Sequence, residues 1–482
     1  MRRMLLKISL VSLLFLSACT SKEVELAPPV KGEEPKRFEN VSVHDPSVVK
    51  DGERYFIIGS HLDSAFSDDL VNWTKYSQGV KDGNPLIPNV TTEMEEALKW
   101  SKSTTFWAGD VQKIGDKYYM FYNACEGSSP LSALGVAEAS SIDGPYVDRG
   151  IIMKSGRSGK LLAYEEDTYI NYNPSTHPNA IDPHVFYDAD DKLWMVYGSY
   201  SGGIFILEMD EKTIMPVAGQ GYGKKLTGGN HTRIEGPYIL YNHETEYYYL
   251  FNSYGGLGAG DGYQLRIGRS KTPDGPYLDA AGNDLIEATS DGRTFFDDEA
   301  IAKVGYKLVG DYEMKRTDGT NMQQGYVSPG HNSAIYDENL DSYILVMHTR
   351  FPGKGEAFEV RTHEMFFNDK GWPVVAPVRY TGYGHTEVTK DVIGEYQSVI
   401  HELEIEKGIQ SSSLWELNDN NEVVTEFGNG VWSLNDQTLT ITIDSTEFEG
   451  FVFSQWDAPS RSYKKTLSLQ GADNRSIWGV QE

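Results

Sequence analysis

Residues 43–60 read VHDPSVVKDGERYFIIGS, and this stretch sets the pattern of most of the chain. It pairs a short apolar strand, which carries a polar residue, with an aromatic-rich strand through a turn of Asp and Gly. That is the chemistry of an antiparallel hairpin. Asp45 within it needs an explanation, because an unpaired carboxylate in an apolar setting is costly.

Four further copies of this hairpin follow along the chain. They read FWAGDVQKIGDKYYMFYNA from Phe106, AIDPHVFYDADDKLWMVYGS from Ala180, RIEGPYILYNHETEYYYLFNS from Arg233 and GHNSAIYDENLDSYILVMHT from Gly330. The equivalent polar positions are Asp45, Asp110, Asp182, Glu235 and His331, 53 to 96 residues apart, which leaves room for about four strands each. A four-stranded unit repeated radially is a β-propeller blade, and closure of the ring protects the sheet edges. The sequence therefore predicts an all-β chain whose residues 41–390 form a five-bladed β-propeller, with these positions around its central channel.

The remaining segments have other sequence patterns. Residues 395–482 alternate apolar and polar positions and predict a small C-terminal β-sandwich or barrel domain. The stretches at 140–150 and 270–280 resemble each other and are predicted to be outer strands of their blades. The best helical pattern lies at 91–102. The long insertions at 84–105, 155–178 and 281–325 are expected to shape a substrate groove.

The N-terminus carries a processing signal. The charged segment MRRMLLK, the apolar ISLVSLLFL and the small-residue site LSAC resemble a bacterial lipoprotein signal. The resemblance implies that residues 1–18 are removed, that Cys19 is lipidated and that residues 19–40 form a flexible linker. The protein is then expected at the extracellular face of the cell envelope, anchored to a membrane or released from it. The alternative is a plain signal peptide with an incidental cysteine.

The net charge of −27 disfavours nucleic acid, pectin-like polyanions and anionic membrane surfaces as electrostatic partners. A neutral substrate is compatible with it, and the chain is expected to act as a monomer. After processing only Cys125 remains, so an intramolecular disulfide is excluded, and a small buried residue is the expected fate of this thiol.

Three of the polar positions are acids in related settings, in the motifs HDP at 44–46, IDP at 181–183 and EGP at 235–237. Proline is found at strand starts, edges and bulges, where it could free the acid to point into the channel. Three acids held together cannot all keep ordinary pKa values, so acid and base chemistry is the expected use. Glycoside hydrolysis needs such a pair of carboxylates. A single DP dipeptide would more often be a turn, but its repetition in matching blades favours function.

The motifs HDPSVV, WAGDV, AIDPHVF, GSYSGGI, RIEGPYI and GHNS together resemble glycoside hydrolase family 43, and within it the endo-α-1,5-arabinanases. The C-terminal LWEL, GVW and SIWGV resemble the accessory domain of two-domain members. The resemblance implies an inverting enzyme acting on arabinan, with Asp45 as general base, Glu235 as general acid and Asp182 as the carboxylate that raises the pKa of the acid and orients it. Gly109 stands where many relatives have proline.

The resemblance also implies that His331 helps to hold one hydrated calcium ion in the channel; a hydrogen-bonded core histidine is the alternative. Sugar rings stack on aromatic faces, which makes Trp107 the best candidate for substrate binding. Further candidates next to the strand motifs are His44, Asn179, Tyr200 and Asn252, for each of which ordinary packing is the alternative.

Three other functions are alternatives, and sequence features argue against two of them. An exo-acting α-L-arabinofuranosidase or β-xylosidase would share the fold and the chemistry. A fructan-acting propeller hydrolase would need an Asn-Asp-Pro-Asn start and a Glu-Cys acid, which are absent from the sequence. A glycan-binding lipoprotein without activity would be expected to lack one of the three acids, and all three are present.

Overall fold

Five antiparallel sheets, four of four strands and one of five, follow one another in the computed structural model, which describes residues 38–322, 324–382, 387–405 and 408–482. Each sheet is a meander in chain order, as expected for a propeller blade. The predicted signal at 1–18, Cys19 and nearly all of the predicted linker lie outside the described residues.

The blades are numbered in chain order. Blade 1 comprises Ser47–Asp51, Arg54–Ile58, Ser64–Ser67 and Thr74–Ser77. Blade 2 comprises Asp110–Ile114, Lys117–Cys125, Ser132–Ala139 and Val147–Lys154. Blade 3 comprises His184–Tyr187, Leu193–Tyr197 and Ile204–Asp210, with Met215–Pro216 and Lys224–Thr227 sharing its outer edge. Blade 4 comprises Ile234–Asn242, Tyr247–Tyr254, Gln264–Ser270 and Tyr306–Val309. Blade 5 comprises Val327–Asp337, Ser342–Arg350, Phe358–Phe367 and Pro373–Val375.

The five hairpins read from the sequence are the two inner strands of the five blades, so the predicted propeller is confirmed. Of the two predicted outer strands, the one at 140–150 overlaps Val147–Lys154. The prediction for 270–280 is wrong: Ser270 ends the third strand, Leu278 makes only isolated bridges, and Tyr306–Val309 takes the outer position of blade 4. The intervening residues are therefore an insertion between the third and fourth strands of this blade.

Apolar side chains fill the space between neighbouring blades. Phe56 and Ile58 of blade 1, for example, share one buried cluster with Met120 and Ala137 of blade 2. Burial of this kind stabilises by about 25 cal/mol per Å² of apolar surface, so each blade depends on its neighbours for its core.

Polar contacts close the ring near its axis. The Ser333 hydroxyl of blade 5 accepts the Val48 N–H at 2.9 Å and donates to the Pro46 carbonyl at 2.6 Å. The last blade is thereby joined to the first. The single Ser333 hydroxyl thus provides hydrogen-bond partners for two buried backbone groups that would otherwise lack them.

The C-terminal domain is a closed eight-stranded barrel. Its strands are Gly394–His401, Ser413–Leu417, Glu422–Thr425, Gly428–Asn435, Thr438–Ile443, Thr446–Asp457, Ser462–Gly471 and Ser476–Gln481. Closure comes from the pairing of Thr446–Asp457 with Ser462–Gly471. The barrel encloses a core that includes Trp415, Leu439 and Leu467. Of the two predicted architectures, the barrel is the one observed.

The barrel packs against blades 4 and 5. Trp478 is fully buried in one cluster with propeller residues, its ring 5.5 Å from that of Tyr312. A short parallel pairing of Tyr312–Glu313 with Gln410–Ser411 adds backbone hydrogen bonds across the same joint. The propeller and the barrel are thus one packed body.

Short elements complete the fold. Gly159–Lys160 pairs with Tyr169–Ile170, and Glu387–Val388 pairs with the barrel strand Thr446–Asp457. The α-helices are Val90–Glu93, Glu95–Ser101 and Asp298–Ile301, and the 3-10 helices are Ser60–Leu62 and Leu285–Glu287. Across the described ranges, no helix has the length and apolar character needed to cross a membrane.

Candidate active site

The orientation of Asp45 and Asp182 is set by their own backbone conformation and not by a position within a strand. Asp45 and Asp182 lie two residues before the first strands of blades 1 and 3, with φ of 57° and 54°. Asp is one of the few residues that tolerate this left-handed region. From the sequence, both acids are predicted on inner strands, turned by the following proline; in the structure both precede their strands, and the left-handed residue is the acid itself.

Glu235 and His331 lie within strands, and irregularities of the strand backbone orient their side chains. The ladder of blade 4 shifts register between Glu235 and Tyr238, and Gly236 has a φ of 58°. The ladder of blade 5 shifts register on either side of Gly330, and His331 has a φ of 45°. Irregularities of this kind re-aim side chains next to functional sites, and strained residues cluster there.

The Asp45 carboxylate is enclosed by donors from three segments. Its Oδ1 lies 2.8 Å from His44 Nδ1 and 3.1 Å from His331 Nδ1, and its Oδ2 accepts the Ser60 hydroxyl at 2.5 Å. Burial alone would raise the pKa of Asp45, but the imidazoles of His44 and His331 outweigh it and hold this pKa well below its usual range. Asp45 is therefore ionised at neutral pH.

His348 is a member of this cluster that the sequence analysis missed. Its Nδ1 accepts the backbone N–H of Asp45 at 3.2 Å, and its ring stacks on that of His44 with centroids 3.7 Å apart. Burial holds the pKa of His348 well below its usual value, in keeping with a neutral ring whose Nδ1 is an acceptor. The sequence feature that could have indicated His348 is its place on the fifth hairpin, where it pairs with Gly330 of the neighbouring strand.

The other two acids sit in a different environment. Asp182 Oδ2 accepts the Gly236 N–H at 3.2 Å, and Glu235 accepts the hydroxyls of Ser199 and Tyr263 at 2.8 and 2.9 Å. Burial raises the pKa of Asp182 and that of Glu235, and the negative charge of Asp45 raises both further. The charge of His331 opposes these shifts without cancelling them. The pair therefore keeps a proton in the pH range where Asp45 is ionised.

His331 supplies the positive charge of the site. Burial disfavours its protonated form, but the carboxylates of Asp45 and Asp182 outweigh that effect and raise the pKa of His331 to about 9. Its ring also lies against Gly236, where an added Cβ would come within 3.0 Å of the ring. A glycine is thus needed directly after Glu235 for the imidazole to reach Asp45.

Asp110, the remaining polar position of the repeat, makes contacts that support the fold. Its carboxylate accepts the Ser47 hydroxyl of blade 1 at 2.5 Å and the Val185 N–H of blade 3 at 2.7 Å. It joins three neighbouring blades and is buried. Four of the five equivalent positions therefore converge on the site, namely Asp45, Asp182, Glu235 and His331. The fifth, Asp110, links neighbouring blades.

Three of the five predicted substrate-binding residues lie around the convergent acids. His44 contacts Asp45 directly. Trp107 is half-buried, donates its indole N–H to the Cys125 carbonyl at 2.7 Å and has its ring 5.5 Å from that of His61. Tyr200 follows Ser199, the hydroxyl donor to Glu235, and keeps a partly exposed ring.

The remaining two predicted residues are enclosed. Asn179 accepts the hydroxyls of Ser132 and Ser155 at 2.5 and 3.3 Å, so its amide oxygen holds segments of the fold together. Asn252 has no exposed surface, and neither end of its amide has a hydrogen-bond partner among the described residues. Neither side chain presents a surface to a ligand here. Cys125 is buried as expected, and burial raises the pKa of its thiol.

One buried channel thus holds an ionised carboxylate, fixed by two imidazoles, and a pair of carboxyl groups that retains a proton. Together these groups can take a proton from one atom and deliver a proton to another, which is what acid and base catalysed hydrolysis of a glycosidic bond requires. The five blades and this site define a propeller hydrolase.

Sequence comparison agrees with this class. Residues 38–373 match the profile of Glycosyl hydrolases family 43, and residues 377–479 match that of a C-terminal lipocalin-like domain. The chain belongs to glycosyl hydrolase family 43.

Similar proteins extend over nearly the whole chain. It is 49% identical over 447 residues to the extracellular endo-α-(1→5)-L-arabinanase 2 of Bacillus subtilis, covering 92% of this chain and 93% of that one. It is 39% identical over 460 residues to the extracellular endo-α-(1→5)-L-arabinanase of Thermotoga petrophila, covering 94% and 96%. The crystal structure of the family 43 YxiA protein from Bacillus licheniformis superposes with a TM-score of 0.88 at 49% identity, covering 93% and 99%.

Proposed function

We propose that the protein is an inverting hydrolase that cleaves internal α-1,5-L-arabinofuranosidic bonds of arabinan. The names of the two relatives at 49% and 39% identity support this substrate and mode of attack. A neutral polysaccharide also suits a chain with a net charge of −27, which would repel a polyanion.

The observation that carries the proposal is the opposite direction of the pKa shifts within one channel, lowered for Asp45 and raised for the pair of Asp182 and Glu235. Asp45 is the general base: ionised and held by His44, His331 and Ser60, it takes a proton from the attacking water. Glu235 is the general acid: burial raises its pKa, which favours the protonated form that gives a proton to the leaving oxygen. Asp182 positions this acid through the Gly236 N–H and, with Glu235, shares the buried negative charge that keeps the proton in place.

The proposal includes one hydrated calcium ion near His331. Asp45 and the Asp182/Glu235 pair, which keeps one proton, leave negative charge in the channel, and a divalent cation there would take the place of the positive charge of His331. The tightest group of potential ligand atoms, from His44, Asp45 and His348, lies within 4.8 Å but offers two nitrogens, whereas calcium prefers six to eight oxygens. The residues therefore fit an ion held mainly by water, with His331 as the protein ligand in its neutral form; binding of the ion would displace the proton that His331 carries in the ion-free site. Bound there, the ion would supply positive charge beside the acids.

We further propose that the enzyme acts as a monomer outside the cell, anchored to the envelope through a lipid on Cys19. The supporting observation is the sequence LSAC after an apolar segment. Both relatives named above are described as extracellular. A tether at this cysteine followed by a polar linker would leave the propeller free to meet a polymer.

The product profile on linear, debranched arabinan tests the function. Early release of mixed oligosaccharides is expected, and the first products should carry the inverted anomeric configuration by NMR. Release of single sugars from the start would instead support the exo-acting alternative. Glu235→Gln should remove nearly all turnover while keeping arabinan binding, since the amide cannot protonate the leaving group. Glu244→Gln, on the exposed turn of the same hairpin, is the matched control and should keep wild-type activity.

A further inference from the structure

Two exposed phenylalanines with no assigned role extend the aromatic surface of Tyr200, which follows the hydroxyl donor to the acid. Phe295 is 67% exposed and Phe296 is 54% exposed, on the insertion between the third and fourth strands of blade 4. The Phe296 ring meets that of Tyr200 edge to face at 5.6 Å, and the Phe295 ring lies 4.9 Å from that of His231. We propose that these four residues, the aromatic platform, bind the sugar units on the leaving-group side of the scissile bond. This inference rests on the proposed function.

The platform is held in place by its surroundings. Phe296 has a φ of 57°, a strained conformation for a bulky residue that persists only where the surroundings impose it. Its N–H points to the His231 carbonyl at 3.4 Å, and the Asn230 amide donates to the Ser290 carbonyl at 2.8 Å. Two exposed phenyl rings are thereby kept in a fixed place instead of turning inward.

An ion pair fixes the platform to the strand that carries the acid. Asp298, two residues after Phe296, binds Arg233 through both carboxylate oxygens. Arg233 is two residues before Glu235. A displacement of the insertion would therefore separate a half-buried ion pair, which ties the position of the aromatic rings to that of the acid.

The platform starts at the acid and leads away from the base. Ser199 donates to Glu235, and Tyr200 follows it with its N–H on the Ile234 carbonyl at 2.9 Å. The donors to Asp45 come instead from blades 1 and 5. In an inverting reaction water attacks from the side of the base and the leaving group departs on the opposite side. The sugar that leaves, and those attached to it, must then lie on the side of Tyr200 and Phe296.

A second aromatic surface lies on the side of the base. His61 follows Ser60, the hydroxyl donor to Asp45, and its ring lies 5.5 Å from that of Trp107. Aromatic faces thus flank the acids on two sides, and a chain bound on both is cut internally. Sugar rings present C–H faces that suit such surfaces, while their hydroxyl edges face water.

The test compares Phe295→Ala/Phe296→Ala with wild type on two substrates. One is linear arabinohexaose, and the other is 4-nitrophenyl α-L-arabinotrioside, whose leaving group ends at the first position past the acid. We expect kcat/KM on the hexaose to fall about tenfold, mainly through KM, because stacking on two rings is lost. On the aryl substrate it should stay within about twofold. Equal losses on both substrates, or no loss on the hexaose, would overturn the inference.

The side of binding has its own readout. With arabinohexaose labelled at its reducing end, a weaker leaving-group side should shift cleavage so that the labelled fragment becomes shorter. A longer labelled fragment would place the platform on the other side and overturn the inference. Phe295→Tyr/Phe296→Tyr should behave as wild type, and Phe427→Ala, an equally exposed phenylalanine on the barrel, is the remote control.

Two further results keep the inference separate from the proposed function. Wild type that leaves arabinan intact would refute the proposed function, and with it this inference, before any variant is compared. Wild type that cleaves arabinan while the double variant is indistinguishable from it would refute the inference alone. Should the double variant fold poorly, Phe295→Ala alone serves, since this residue is 67% exposed and its removal leaves the strained Phe296 intact.

Discussion

His331 Nδ1 lies 3.1 Å from Asp45 Oδ1, so blade 5 meets the segment before blade 1 at the proposed general base. The contact that completes the ring at its axis is thus also a contact of the site. Ser333, two residues after His331, joins the same two blades through Val48 and Pro46. Closure of the propeller and the position of Asp45 are therefore coupled.

Asp45→Asn should lower kcat on arabinan by about 10²- to 10⁴-fold, the usual loss when a general base is removed. Asp110→Asn is the matched control, since Asp110 is also buried at the repeat position but contacts Ser47 and Val185 instead. It should lower the free energy of unfolding by about 1–3 kcal/mol, because hydrogen bonds to a buried charge weaken, and leave kcat nearly unchanged. Kinetics and urea unfolding of both variants check this; a loss of kcat confined to Asp110→Asn would contradict it.

Gly236→Ala should reduce activity through His331. The added Cβ would lie 3.0 Å from the imidazole at a φ of 58°, so the ring must shift by a few tenths of an ångström, which should disturb its contact with Asp45. Gly52→Ala is the control, because Gly52 has a φ of 61° with nothing within 4 Å of an added Cβ. Each variant should lose about 1 kcal/mol of stability from the left-handed backbone, and only Gly236→Ala should also lose kcat. Equal kcat values in the two variants would show that the close approach does not matter.

The sequence predicted the propeller because each blade repeats one local pattern, an apolar strand, a polar turn and an aromatic strand. It placed Asp182 and Glu235 beside Asp45 because radial repetition brings equivalent positions to one axis. The left-handed φ of Asp45 could not be predicted from the sequence, since a DP dipeptide is compatible with several backbone conformations. His348 was missed because it acts from the second strand of its hairpin, where alternation only marks it as buried.

The sequence predicted an insertion at 281–325 but not the positions of its side chains. Phe295 and Phe296 belong to a segment without periodicity, and their position depends on contacts with His231 and Tyr200 from other parts of the chain. The same insertion displaced the outer strand of blade 4 to Tyr306–Val309, beyond the segment that resembled an outer strand. Asn252 stood next to a strand motif yet is fully buried, because proximity in sequence does not say which face of a strand a side chain takes.

Calcium should bind to the wild-type enzyme and not to His331→Ala. Titration calorimetry with calcium chloride, after treatment with a chelator, measures this directly, and magnesium chloride is the matched control, because Mg²⁺ is smaller and demands a stricter octahedral shell. Chelation should lower kcat, and added calcium should restore it. Unchanged kcat in the chelator together with no heat on titration would contradict the proposed ion.

Cys19→Ser should convert the protein from a membrane-bound to a released form in its bacterial host. The thiol is the atom that a lipid would modify, and serine keeps the size of the side chain without that chemistry. Fractionation with detergent phase separation, and labelling with a radioactive fatty acid, check the outcome. Cys125→Ser is the control, because Cys125 is buried in blade 2 and should not change the distribution. A wild-type protein found entirely in the medium would favour the plain signal peptide.

Two histidines make the joint between propeller and barrel sensitive to acid. His363 of blade 5 and His401 of the barrel flank Trp478, with ring centroids 5.9 and 5.2 Å from the indole. Burial lowers the pKa of each to about 3, and the charges of Arg379 near His363 and of Lys307 near His401 act in the same direction. The carbonyl of Ala376, which contacts His363, opposes the shift only in part. Both rings are therefore neutral in the folded protein.

The sign of the pH effect follows from these lowered values. Above pH 6.5 neither state binds a proton at these rings, and their contribution is fully present; between pH 6.5 and about 3 only the unfolded chain binds protons, so stability falls with pH. Urea unfolding of wild type between pH 7.5 and 4 should show this decline. His401→Phe should make it shallower, since one of the two proton sites is gone while an aromatic ring still packs on Trp478. An equally steep decline in the variant would assign the acid sensitivity to other groups.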